Sequence, residues 1–183
     1  MKKKLHTCNI QFIFMIFLII INLATLHFVS PLSQNLSDLG NLLGHRLYLI
    51  LWAITTSLYL YIYTLRLLKD RQYHNKLGYV LLGIACCSMV LSVILPYNIY
   101  TFPILSKWHT RIAIGATSLY VIVFYHFIID TMKKDYLFYE QTLIPFTFLV
   151  IFDLLLFMLN GGVSTLIEIS FSIGMSILLY LKK

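Results

Sequence analysis

Charge is what this chain of 183 residues has least of: Asp, Glu, Lys and Arg make up 11% of it, where an ordinary soluble domain carries about a quarter. A chain so poor in charge cannot coat a water-facing globule, so most soluble classes are excluded. Acidic residues are the scarcer half, seven against 14 basic ones. No glycine-rich phosphate loop, no nucleophile elbow around a serine and no HExxH pair occurs, which removes the common sequence signatures of nucleotide, esterase and zinc-protease chemistry. The three cysteines, Cys8, Cys86 and Cys87, make no disulfide framework. Cys86 and Cys87 are adjacent in an apolar run and read as small packing residues. There is also no obvious repeat of the inverted-transporter kind.

What fills the chain is hydrophobic sequence, 60% of all residues, with a mean hydropathy of +0.84. It comes in runs near the length of about 20 residues needed to cross a bilayer core of roughly 30 Å. The reading is an all-α integral membrane protein: one membrane domain, 1–183, with helices at about 8–29, 45–68, 77–95, 108–129, 142–159 and 163–181. The first run follows a basic start, as a signal peptide does. At 22 residues it exceeds a signal core of about 7–15, and no small-x-small cleavage site follows, so it is read as an uncleaved helix.

The net charge of +7 could suggest nucleic acid, yet the basic residues gather at helix ends rather than on an amphipathic face. They carry topology information instead. Eleven of the 14, among them Lys2, Lys69, Arg71, Lys133 and Lys182, fall on one side, and only Arg46, Lys107 and Arg111 on the other. By the positive-inside rule a six-transmembrane-helix bundle with both termini cytoplasmic is expected, most simply a multi-pass protein of the plasma (cell) membrane. Neither cofactor nor nucleic acid is called for; membrane lipids and a membrane-protein partner are the expected company.

The polar segment 32–44, with Ser37, Asp38, Gly40 and Gly44, separates the first two runs and carries the turn-forming residues. With the expected topology it shares the outer membrane face with His27, His45, Arg46, Asn98, Lys107, His109 and Arg111. Two acids lie inside the apolar runs. Asp153 is seven residues before Asn160 and Glu168 six after Gly162, which places both about 10 Å below the outer surface at 1.5 Å per residue. Ionisable groups at that depth are costly and are functional candidates by default.

Short motifs around this face resemble a known family. Leu36-Ser37-Asp38-Leu39-Gly40 looks like the Ile-Ser-Asp-x-Gly loop of the DRAM (damage-regulated autophagy modulator) and Frag-type membrane proteins. Asn75-Lys76-Leu77-Gly78 leading to Gly83 and Cys86 resembles their third helix, and His109 with Ala113 their His-x-x-x-Ala element. Small bacterial membrane proteins of unknown function are similar too. The chain departs from the family where prolines would follow the Ser-Asp-x-Gly element and Asn41-Leu42-Leu43-Gly44 stands instead. The resemblance implies six helices and a role in lipid organisation, GPI-lipid remodelling or trafficking, and it singles out Ser37, Asp38, Gly40 and His109.

Three functional readings follow. In the first, Ser37, Asp38, His45, Arg46, His109 and Arg111 line an outward-facing site for a lipid headgroup or membrane partner, with the arginines and Lys107 meeting phosphate. In the second, Asp38 and the outer histidines hold a metal that activates water in a membrane-embedded lipid hydrolase or transferase. In the third, Asp153 and Glu168 serve a proton-linked transporter component. The segment 36–44 is further expected to fold back over the bundle as a lid, with Asp38 paired to Arg46 or Arg111 and His109 beneath.

Overall fold

The computed structural model describes residues 2–182, with side chains from Asn9 onwards. Seven helices and no strand occur among the described residues: α1 (Lys2–Thr25), α2 (Leu36–Asn41), α3 (Arg46–Asp70), α4 (Lys76–Ile94), α5 (Pro103–Thr131), α6 (Tyr136–Asn160) and α7 (Thr165–Leu181). Four of them, α3 to α6, are long and apolar enough to cross a membrane, while α1 and α7 contribute the shorter apolar stretches Asn9–Thr25 and Thr165–Leu181.

Helix ends differ from the sequence expectation for local reasons. α1 stops at Thr25 rather than 29 because Leu26, His27 and Phe28 donate to carbonyls three residues back, at 3.1, 3.1 and 3.0 Å, which winds the helix into a tighter final turn. α5 begins at Pro103, five residues before the expected start, with proline in its first turn, where a missing N–H costs nothing. α6 begins at Tyr136 because the Asp135 side chain accepts from the Phe138 N–H at 3.0 Å. The segment expected to be a loop contains the short helix α2, closed by a capping box. Asn35 Oδ1 accepts from Asp38 N–H and Asp38 Oδ2 from Asn35 N–H, both at 3.0 Å.

In space α3, α4, α5, α6 and α7 form a closed ring, each touching the next and α7 returning to α3, with α1 packed outside against α7 and α3. Side-chain size decides how the ring is filled. At the end away from α2 it is packed solid by aromatics: Tyr59, Tyr120, Phe124, Phe127 and Phe146 are fully buried, with Phe146 set edge-on to Phe124 at 4.8 Å between ring centres. Towards the α2 end the inward positions carry Ala53, Thr56, Ser57, Ala113 and Thr117, too small to meet in the middle. α2 covers that end, seated on α3 with Leu36 and Leu39 buried against Leu49, Ala53 and Val93.

Seating α2 requires a residue without a side chain at Gly40. A Cβ there would stand 3.0 Å from Leu49 Cβ and closer still to its Cδ2, and Leu49 is itself buried and cannot retreat. Gly40→Val is therefore expected to destabilise the protein by about 1–3 kcal/mol through overpacking, more than the few tenths gained in helix propensity. Gly115→Ala, whose added Cβ would meet nothing within 4 Å, serves as the control in thermal unfolding in detergent and should not fall below wild type.

Candidate functional site

The hollow half of the ring is a cavity of about 450 Å³. Its walls come from five long helices and its roof from α2. Leu60, Val121, Val150 and Phe171 give it an apolar body. Ser37, His109, Asp153 and Glu168 bring polar groups to it from four different elements. No lysine or arginine lines it among the described residues. Its side wall is discontinuous: Ile114, Ser118 and Ile122 of α5 and Leu154 and Phe157 of α6 line the cavity and are also exposed on the outside of the bundle. The ring contacts that join α5 to α6, Phe124–Phe146, Tyr125–Phe146 and Phe127–Phe138, all lie at the opposite, aromatic end. Towards α2 the exposed lining residues of α5 and α6 mark a side on which the cavity is open.

Each polar group is held differently. Ser37 Oγ and His109 Nε2 are 2.6 Å apart, both residues buried. The ring of His109 lies against Tyr97, 5.0 Å between centres, and beside the Ser92 and Leu95 carbonyls at the end of α4. No partner meets Nδ1 in hydrogen-bond geometry among the described residues. Glu168 accepts the Leu36 amide at 2.8 Å, tying the first turn of α7 to the first residue of α2. Asp153, 8% exposed, accepts from Ser170 Oγ through one oxygen at 2.5 Å. Its other oxygen, Oδ2, is buried without a partner among the described residues. A buried polar oxygen left unsatisfied costs about 1–3 kcal/mol, and this one belongs to a residue of the cavity wall, where an entering donor would satisfy it.

Of the residues picked from the sequence, then, the structure brings Ser37, His109, Asp153 and Glu168 to one cavity and leaves four outside it. Asp38 spends its carboxylate on the capping box, so the expected pairing with Arg46 or Arg111 does not form. Arg46 donates to Asn41 Oδ1 at 2.7 Å and to the Ile94 carbonyl at 2.8 Å, pinning α3 to α2 and to the end of α4. Arg111 lies over the Trp108 ring, 5.8 Å from its centre, and His45 stacks on Phe28 at 4.9 Å. Consequently the arginines do not form a phosphate clamp over the cavity. No three His, Cys, Asp or Glu side chains converge as a metal-binding group among the described residues; His27 and His45 are occupied with Phe28 while His109 faces Ser37.

Thr56, Ser57, Ser92, Thr117 and Ser118 also line the cavity, as does Ser172. Sequence reading passed over them, because hydroxyl residues in apolar helices carry no mark of which face meets a void. Ser170, the partner of Asp153, carries no sequence mark either, because the pairing depends on how α6 and α7 pack. No protein-family model matches this chain, and neither the curated proteins nor the solved structures hold a significant match to it.

The contrast between satisfied and unsatisfied polar groups yields a stability test. Asn22, fully buried, donates to Ser172 Oγ at 3.0 Å and accepts from Trp52 Nε1 at 3.0 Å. Asn22→Leu should cost about 1–3 kcal/mol by orphaning those partners. Asp153→Leu removes an unsatisfied oxygen beside open space, and Ser170 Oγ keeps its bond to the Ile167 carbonyl at 3.0 Å. It is expected to melt no lower than wild type. A clear loss of melting temperature in Asp153→Leu would mark that acid as a structural group.

Proposed function

We propose that this chain is a six-span membrane protein, both termini cytoplasmic, whose outer-leaflet cavity binds a single amphipathic lipid admitted sideways between α5 and α6. The observation that carries the reading is the coincidence of three features: an apolar body, a polar end beneath α2, and exposed lining residues along α5 and α6 that we read as a lateral slot. Binding pockets for small molecules typically measure about 300–1,000 Å³ and are mostly apolar with a few placed polar groups. A cavity reached only from water would have no need of a slot in its lipid-facing wall.

The span count rests on length. α7, with 17 residues, reaches about 25 Å at 1.5 Å per residue, close to a thin hydrocarbon core, and α1 is longer at 24 residues. An even number of crossings then agrees with the basic residues collected at the end opposite α2. The headgroup preference follows from the lining. Two carboxyl groups and no cation at the polar end favour a headgroup that offers donors, hydroxyl or ammonium, over a bare phosphate. This revises the sequence expectation of arginine–phosphate contacts while keeping its ligand class, and agrees with what the DRAM and Frag-type resemblance implies.

Native mass spectrometry of the protein extracted in mild detergent tests the reading. Wild type should carry one lipid per chain, and Ala113→Trp, which fills the cavity from α5, should lose it. Arg46→Ala combined with Arg111→Ala should leave the bound lipid unchanged. Lipid retained undiminished by Ala113→Trp would place the molecule on the outer surface and refute the cavity.

A further inference from the structure

We infer that Ser37 and His109 form a nucleophile–base pair that exchanges acyl groups with an ester lipid held in this cavity, an inference that rests on the lipid-binding reading above. The contact between Ser37 Oγ and His109 Nε2, at 2.6 Å, is within the reach required of a base that takes a hydroxyl proton. The pair requires the tautomer of His109 with its hydrogen on Nδ1. Nε2 is then the acceptor and the serine hydroxyl the donor. Both side chains are buried, and both line the apolar cavity. A hydrogen bond that served only to fasten α2 to α5 would be equally good inside a solid core. Here it opens on an apolar cavity large enough for part of an acyl chain.

α2 is held independently of this pair. Leu36 is bonded to Glu168, the Gln34 carbonyl accepts from the Thr165 N–H at 2.8 Å, and Asn41 receives Arg46. The serine is therefore positioned by its neighbours and does not depend on His109 for its place.

The chemistry balances with the ester and an acceptor alcohol or water. Ser37 Oγ bonds to the ester carbonyl carbon as its proton passes to His109 Nε2. The carbon–oxygen bond to the lipid alcohol then breaks, and that alcohol leaves with the proton from His109. In the second half an incoming alcohol or water gives its proton to His109 and attacks the acyl-serine carbonyl, the carbon–Oγ bond breaks, and Ser37 leaves with the proton returned from His109 Nε2. No redox partner is required.

The test is labelling of the full-length protein in detergent with a long-chain alkyl fluorophosphonate, in which the serine oxygen displaces fluoride at phosphorus. Peptide mass spectrometry is expected to find a single adduct on Ser37 in wild type and none on Ser37→Ala. His109→Gln keeps an oxygen for Ser37 to bond but no base, and should slow labelling about 100-fold or more at unchanged melting temperature. The inference is overturned by wild-type protein that carries its lipid yet forms no adduct. It is overturned equally by an adduct elsewhere, or by His109→Gln reacting at the wild-type rate. Labelling of Ser37 in protein that holds no lipid would support the pair and count against the lipid-binding reading alone.

Discussion

In a bilayer the N–H and C=O groups of a non-helical stretch have no water to turn to, and the segment between α1 and α3 meets that constraint by docking on α7. The Pro31 and Gln34 carbonyls accept the Leu166 and Thr165 amides at 2.9 and 2.8 Å, and the Leu36 amide finds the Glu168 carboxylate. Much else depends on those bonds. They place α2 across one mouth of the helical ring, which sets Leu36 and Leu39 into the groove beside Leu49 and turns Ser37 inwards to His109. Glu168 has in this arrangement a structural duty as well as a wall of the cavity to form.

The second organising feature is a gradient of side-chain size along the ring. Aromatic residues close the bundle where Tyr59, Phe124 and Phe146 meet, and the same helices carry alanine, serine and threonine nearer α2. Packed interiors tolerate few voids larger than a water molecule. A space of about 450 Å³ maintained by five helices is thus a feature that the sequence sustains against the pull of better packing. The buried, half-satisfied Asp153 lies in its wall. Stability and function pull apart at this place: filling the void and neutralising the acid would both favour the fold.

How much of this could be read from the chain depended on the kind of signal. Helical class and the apolar runs are written in composition, since no other structure satisfies the backbone over such lengths. Asp153 and Glu168 were marked by lying inside apolar runs, and both line the cavity. Ser37 and His109 were marked, but their meeting was not, because a contact over 72 positions depends on how α2 docks. Asp38 misled for a clear reason. A carboxylate three residues after Asn35 is a capping-box pattern, and the local bond to the Asn35 amide prevailed over a distant arginine. Arg46 misled likewise: an arginine opening a helix at the outer face reads as a phosphate ligand, whereas here it fastens Asn41 and the Ile94 carbonyl at the end of α4.

The central claim is that lipid occupies the interior of the ring and arrives between α5 and α6. A photoactivatable lipid, with a diazirine on its acyl chain, incorporated into membranes carrying the protein would report this directly. Adducts are expected on Val121 and Phe171, which face the cavity, and along the slot at Ile114 and Leu154. Adducts confined to outward-facing Ile151, Leu155 and Met158 would show that lipid only coats the bundle and would contradict the account.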